Sequence, residues 1–273
     1  MIDDFDYKEP SCVLCGGKEF YNPKADDAKG RVPIKRIIEK IDGLFDKNDY
    51  EEAGRLLEYW QAEAKALNDK SGELALDSEL IGYYRKTGAK DNCFKAIERA
   101  EQLITELGQT GISSATITLN MATGYKAFGE SELALKYYDK TYEIYKNGLK
   151  EDDKLFAGLY NNRALAYVDV GKFDQAEKDY KKAIEILEKH GDAKPDQAIS
   201  YVNLAHLYEN EGDKKKAIEC MYNAYNLLND ESIEQNGYYA YVLSKCAPSF
   251  GHFGFTLIEK EYNDLSEKIY ERA

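Results

Sequence analysis

Two cysteines and two glycines stand close together in SCVLCGGKEFYNP, Ser11 to Pro23. A Cys-x-x-Cys-Gly-Gly turn can point two thiolates, Cys12 and Cys15, at one zinc ion, and a structural zinc site needs four ligands. The other sulfur and imidazole candidates, Cys246 and His252, are far along the chain. Other chemistry is sparse. His190, His206 and His252 are scattered, and no acid is paired with them at useful spacing. The sequence contains no Walker A loop, no GxGxxG after a strand, no GxSxG and no HExxH. Acidic runs such as Glu151-Asp152-Asp153 read as solvated loops. No catalytic residue is assigned, and the chain is expected not to be an enzyme.

The elements that would position any site are helices. The chain has 273 residues, 43% hydrophobic and 32% charged, with 5 prolines and 23 tyrosines. Apolar residues recur three and four apart over long stretches, the pattern of amphipathic helices. The formal net charge of −13 sets the chain against phosphate-rich partners, so neither nucleic acid nor an anionic membrane is expected to bind. MIDDFDYKEP is acidic rather than apolar at the start, and no run of 18 apolar residues occurs. Cysteine is too sparse for a disulfide framework. A cytoplasmic protein is expected.

A repeat organises the rest. Gly88, Gly129, Gly171 and Gly212 are 41, 42 and 41 residues apart, with Asn48 40 before the first and Gly251 39 after the last. Each closes one helical run and opens another, where a left-handed residue suits the chain. Seven residues before the turn stand Ile41, Ile81, Ala122, Ala164 and Ala205; four before it stand Leu44, Tyr84, Tyr125, Tyr167 and Tyr208. Five after it come the small residues Ala53, Cys93, Ala134, Ala176 and Ala217, and nine after it the large Leu57, Ile97, Tyr138, Tyr180 and Met221. Small side chains let paired helices approach, and large ones wedge between pairs. Cys93 therefore reads as a packed residue, and Cys220, inside a second helix, reads the same way.

Three segments carry a resemblance: TLNMATGYKAFGESELALKYYDKTYEIY (118–145), LYNNRALAYVDVGKFDQAEKDYKKAIEIL (159–187) and YVNLAHLYENEGDKKKAIECMYNAYNLL (201–228). They resemble the tetratricopeptide repeat, in a long-helix variety with a period near 41, as in kinesin light chains. The implied fold is all-α, a right-handed α-solenoid of antiparallel helix pairs. Five repeats are expected at about 34–67, 74–107, 115–148, 157–190 and 198–231, after an N-terminal segment, 1–32, that carries the cysteine knuckle. Residues 235–273 read as a degenerate sixth pair that caps the array, its pattern broken at CAPSFGHFGF by Pro248. GELALDSELIGYYRKTG, LFAGLYNN and the same tail also resemble repeat regions of uncharacterised bacterial proteins. Some of those continue into a nucleotidyltransferase-like domain, and a stand-alone version would serve recognition.

The resemblance implies that first helices line a concave groove for peptides or helices. Nine residues before successive turns stand Asn120, Asn162 and Asn203. An amide side chain offers donor and acceptor, as a peptide backbone does. The alternative is that these amides hold neighbouring helices in register. Helical spacing adds Asn161, Arg163, Leu165, Thr123, Lys126, His206 and Glu209 to the groove. Arg163 stands where other repeats have leucine or methionine, so it must reach solvent or a partner carboxylate, on an acidic ligand or on a neighbouring repeat.

About ten helices separate Cys12 and Cys15 from Cys246, roughly 8–10 Å per packed layer, which excludes one site made from both ends. Three readings stand for the pair: a plain turn, zinc shared with a second chain in a homodimer, or a redox pair. Among functions, a non-catalytic scaffold that binds protein or peptide leads. A peptide-sensing regulatory module and a substrate-presenting accessory subunit are the alternatives.

Overall fold

The computed structural model describes residues 30–272, so Cys12 and Cys15 lie outside the described residues. Every regular element among the described residues is helical. The helices are α1 (Ile34–Phe45), α2 (Tyr50–Ala66), α3 (Lys70–Lys86), α4 (Lys90–Glu106), α5 (Ile112–Ala127) and α6 (Ser131–Gly148) in one compact unit, which ends at Leu149. The second unit, from Lys150, holds α7 (Lys154–Asp169), α8 (Phe173–Leu187), α9 (Lys194–Asn210), α10 (Lys214–Leu228), α11 (Gly237–His252) and α12 (Thr256–Tyr270). Odd-numbered helices are the first members of pairs, and even-numbered ones the second.

Turn chemistry sets the pairing. The residues between pair members have positive φ: Asn48 58°, Gly88 72°, Gly129 85°, Gly171 72°, Gly212 81° and Gly254 89°. The last corrects the expected register. Gly251 lies inside α11, and the final turn is at Gly254, 42 residues after Gly212. Counted from Gly254, the terminal pair regains part of the register, with Ala247 seven before the turn, Phe250 four before and Ser266 twelve after, while Glu259 and Asn263 stand where the other repeats have a small and a large buried residue. Pro248 does not break the helix. It sits on the exposed side, where water can serve the carbonyl that its missing N–H leaves unpaired. Aspartates cap several starts: Asp49, Asp69 and Asp213 accept from backbone N–H groups of Glu52, Gly72 and Lys216.

The two helix types bury differently. In α5 every residue from Ser114 to Gly124 is buried, and in α9 nearly all from Pro195 to Tyr208. Second helices are two-faced, with α10 burying Ala217, Cys220, Met221, Ala224 and Leu228. The small residues after each turn are fully covered, Cys93 with them, as the repeat pattern requires. One core runs through α1–α5 of the first unit around Leu57, Ile81, Ile97 and Leu103. Another fills the second around Tyr180, Met221, Leu243 and Phe250.

Polar bonds repeat with the period. Ser266 Oγ and Thr141 Oγ1 each donate to a carbonyl 26 residues back in their own pair, Ala240 at 2.8 Å and Ala115 at 3.1 Å. Successive first helices are bonded one repeat apart: Asn120 Nδ2 donates to Ser78 Oγ at 3.0 Å in the first unit, and Tyr238 Oη to Asp196 Oδ1 at 2.8 Å in the second.

Candidate functional site

The amide row lies in the first helices, and because those helices are covered on most sides, the amides lie beneath the surface. Asn162 on α7 is 1% exposed, and neither of its amide atoms is bonded by any described group. Beside it, Asn161 keeps its Oδ1 unbonded, and on α9 Asn203 keeps its Nδ2 unbonded. Asn120 on α5 spends its Nδ2 on Ser78 and leaves its Oδ1 unmatched. Buried amide atoms are rarely left unmatched, because each forfeits its bond to water. The same register position therefore carries unused hydrogen-bonding capacity in three repeats.

The other sequence-derived candidates fall in different surroundings. Arg163 pairs with Asp179 on α8, in its own repeat rather than a neighbouring one, with Nε at 2.7 Å and one terminal nitrogen at 3.0 Å from the two carboxylate oxygens. The guanidinium also lies over the rings of Tyr160 and Tyr167. Thr123 is buried, donates to the Leu119 carbonyl at 3.0 Å and accepts from Tyr138 Oη at 3.3 Å. Lys126 and Leu165 are half-buried.

His206 is drawn into a cluster that sequence spacing does not show. Its Nε2 meets the buried Ser249 Oγ at 3.0 Å, and its Nδ1 is 3.7 Å from Glu209 Oε2. His252, at the end of α11, places Nε2 3.0 and 2.8 Å from the two Glu209 carboxylate oxygens. Burial, and then the neighbouring His252, push the His206 imidazole down to about 4, so it is neutral at physiological pH. His206 and His252 are thus not scattered, while His190 stands apart against the Asp152 carbonyl. The signal was available in the period: His252 stands 43 residues after Glu209, the reach of the other bonds between first helices. Setting the last turn at Gly254 brings it into view. Cys246, considered as a remote zinc ligand, is wholly buried, and burial pushes its thiol up to about 12.

The first unit has a cleft of about 310 Å³ among α2, α3 and α4, also absent from the sequence reading. Arg99 there forms two 2.8 Å bonds to Glu73, and Tyr84 Oη donates to Glu58 at 2.9 Å. Gln61 Nε2 donates to Asp77 Oδ1 at 3.0 Å, while Oδ2 is buried without a described partner. Burial raises the Asp77 carboxyl to about 7 against the lowering effect of the Gln61 bond. None of the described helices is long and apolar enough to cross a membrane.

A family model for the tetratricopeptide repeat matches residues 155–230. No curated protein sequence matches the chain significantly. Among solved structures, BtubC (BKLC) from P. vanneervenii is similar at 20% identity and a TM-score of 0.51, over 88% of this chain and 92% of that one. The Rap protein complexed with Competence and Sporulation Factor is similar at 14% identity and a TM-score of 0.58, over 86% and 74%. The nearly identical TPR-like repeats of a Podosopora anserina chain described as a kinesin light chain are similar at 17% and 0.51, over 72% and 94%. At these identities the structures establish a common fold. Helix pairs, turn register and the matched segment agree: residues 155–230 carry tetratricopeptide repeats, and the described helices have an all-α, TPR-like solenoid fold.

Proposed function

We propose that the chain is a non-catalytic scaffold whose first helices hold a protein or an extended peptide, working in the cytoplasm of a bacterium. One observation carries the reading: Asn162, almost fully buried, has a whole amide that no described group bonds. An extended backbone offers the carbonyl and N–H that such an amide lacks. The amide lies under neighbouring side chains, so an incoming strand must part them. The bonds gained by Asn162 and Asn203 offset that cost. The Rap structure, solved in complex with Competence and Sporulation Factor, supports a binding role for this architecture and makes peptide sensing the second reading.

The test uses peptides selected on the immobilised chain and titrated by calorimetry against wild type and Asn162→Ala/Asn203→Ala. Affinity is expected to fall by about tenfold or more, since each lost bond is worth about 1 kcal/mol and leaves a peptide group unpaired. Melting should change little, because Asn162 gives up no described protein bond. Equal affinity for both proteins would sink the reading.

A further inference from the structure

The structure assigns a second site to the α9–α11 contact: we propose that His206, Glu209 and His252 bind one divalent transition-metal ion, of the zinc, cobalt or nickel class. The reasoning starts from spacing. His206 and Glu209 are three apart on α9, so they share one face, and α11 brings His252 over them. One ligand atom from each of His206, Glu209 and His252 lies within 4.8 Å of the others, and Glu209 Oε2 is 3.7 Å from His206 Nδ1 and 2.8 Å from His252 Nε2. Two donors on one tetrahedral ion, with bonds of about 2.1 Å, stand about 3.4 Å apart. The separations of 3.7 Å and 2.8 Å to Glu209 bracket that value. Small rotations of two half-exposed side chains close the set.

The surroundings have the features of a ligand site. A metal-binding histidine is usually oriented by a hydrogen bond from its second nitrogen. Here His206 Nε2 faces Ser249 Oγ, which is fully buried and so fixed in place. With its proton on Nε2 and donated to Ser249, the ring would turn the Nδ1 lone pair toward Glu209. Phe253 lies 5.0 Å from the His206 ring and 5.1 Å from that of His252, walling one side. Glu209 and His252 have side chains 38% and 52% exposed, so an ion has an entry path and a coordination position open to water. Two imidazoles with one carboxylate favour a borderline transition ion over calcium or magnesium, which prefer all-oxygen sets. Bound metal would tie α11 to α9, which the contact between His252 and Glu209 already joins.

The experiment uses the full chain with Cys12→Ser and Cys15→Ser, which silences the cysteine knuckle. Zn2+ is titrated by calorimetry and Co2+ by its visible absorption. About one ion per chain is expected, and His252→Ala or Glu209→Gln should weaken binding about tenfold or more. His190→Ala, whose ring lies 2.9 Å from the Asp152 carbonyl and outside the cluster, should bind as its parent. Glu209→Gln keeps a hydrogen bond to His252, so it separates lost ligation from lost folding. No binding in the cysteine-free chain, or binding that survives both substitutions, would overturn the proposal. Neither ligand variant touches Asn162 or Asn203, so this site and the peptide-binding reading fail independently.

Discussion

Arg163 and Asp179 form a two-pronged ion pair across α7 and α8, at 2.7 and 3.0 Å, with side chains only 11% and 7% exposed. A buried pair is held less by its net attraction than by the penalty for breaking it. Asp179→Ala should therefore destabilise by about 3 kcal/mol, because it removes the two-pronged carboxylate from a mostly buried guanidinium. Arg163→Met/Asp179→Leu together should cost much less. Urea unfolding of the two variants measures both values. Equal losses would show that packing, not the stranded charge, sets the cost.

Asp77 makes a pH prediction. Its folded carboxyl titrates at about 7, above the ordinary value of 3.8, because burial disfavours the charge. Between those values the folded state keeps a proton that the unfolded state has lost. The folded state's proton excess makes this group's share of stability fall as pH rises. The share is complete at low pH and lost as pH passes through about 7. Asp77→Asn should remove that slope, so the variant gains on wild type by on the order of 3 kcal/mol across the window. Chemical unfolding at both ends of the window tests it. A constant difference between the two proteins would contradict it.

Gly251 and Gly254 should respond unequally to alanine. Gly254 holds φ at 89°, so Gly254→Ala is expected to cost about 1 kcal/mol or more. Gly251 is helical, and a methyl there meets the movable carboxylate end of Glu259. Gly251→Ala should stay within about 0.5 kcal/mol of neutral, since alanine's helix preference offsets the displacement. Thermal melts of the two variants distinguish the turn from the helix.

Much of the fold is legible in the sequence, because a repeat shows each packing rule several times. Ala53, Cys93, Ala134, Ala176 and Ala217 occupy one slot, and all are buried. The terminal pair is harder to read. Two glycines three residues apart compete for the turn, and Pro248 suggests a break that exposure on one helix face makes unnecessary. The asparagine register is also legible, but its depth is not. Periodicity tells which residues are equivalent; whether a neighbour covers them depends on side chains a whole repeat away. The same reason hid His206, Glu209 and His252, which need the spacing between first helices to be known before they converge. Asp77 gives no sequence signal, since a lone aspartate in a helix usually faces water.

The side-chain hydrogen bonds that join different helices in the described residues span at most 43 positions. Within each unit these bonds therefore join a helix pair only to its immediate neighbour. A chain built this way has its folding instructions laid out in order of synthesis. Within a unit, each later pair that leaves the ribosome can dock on the one made just before it, without waiting for a distant segment.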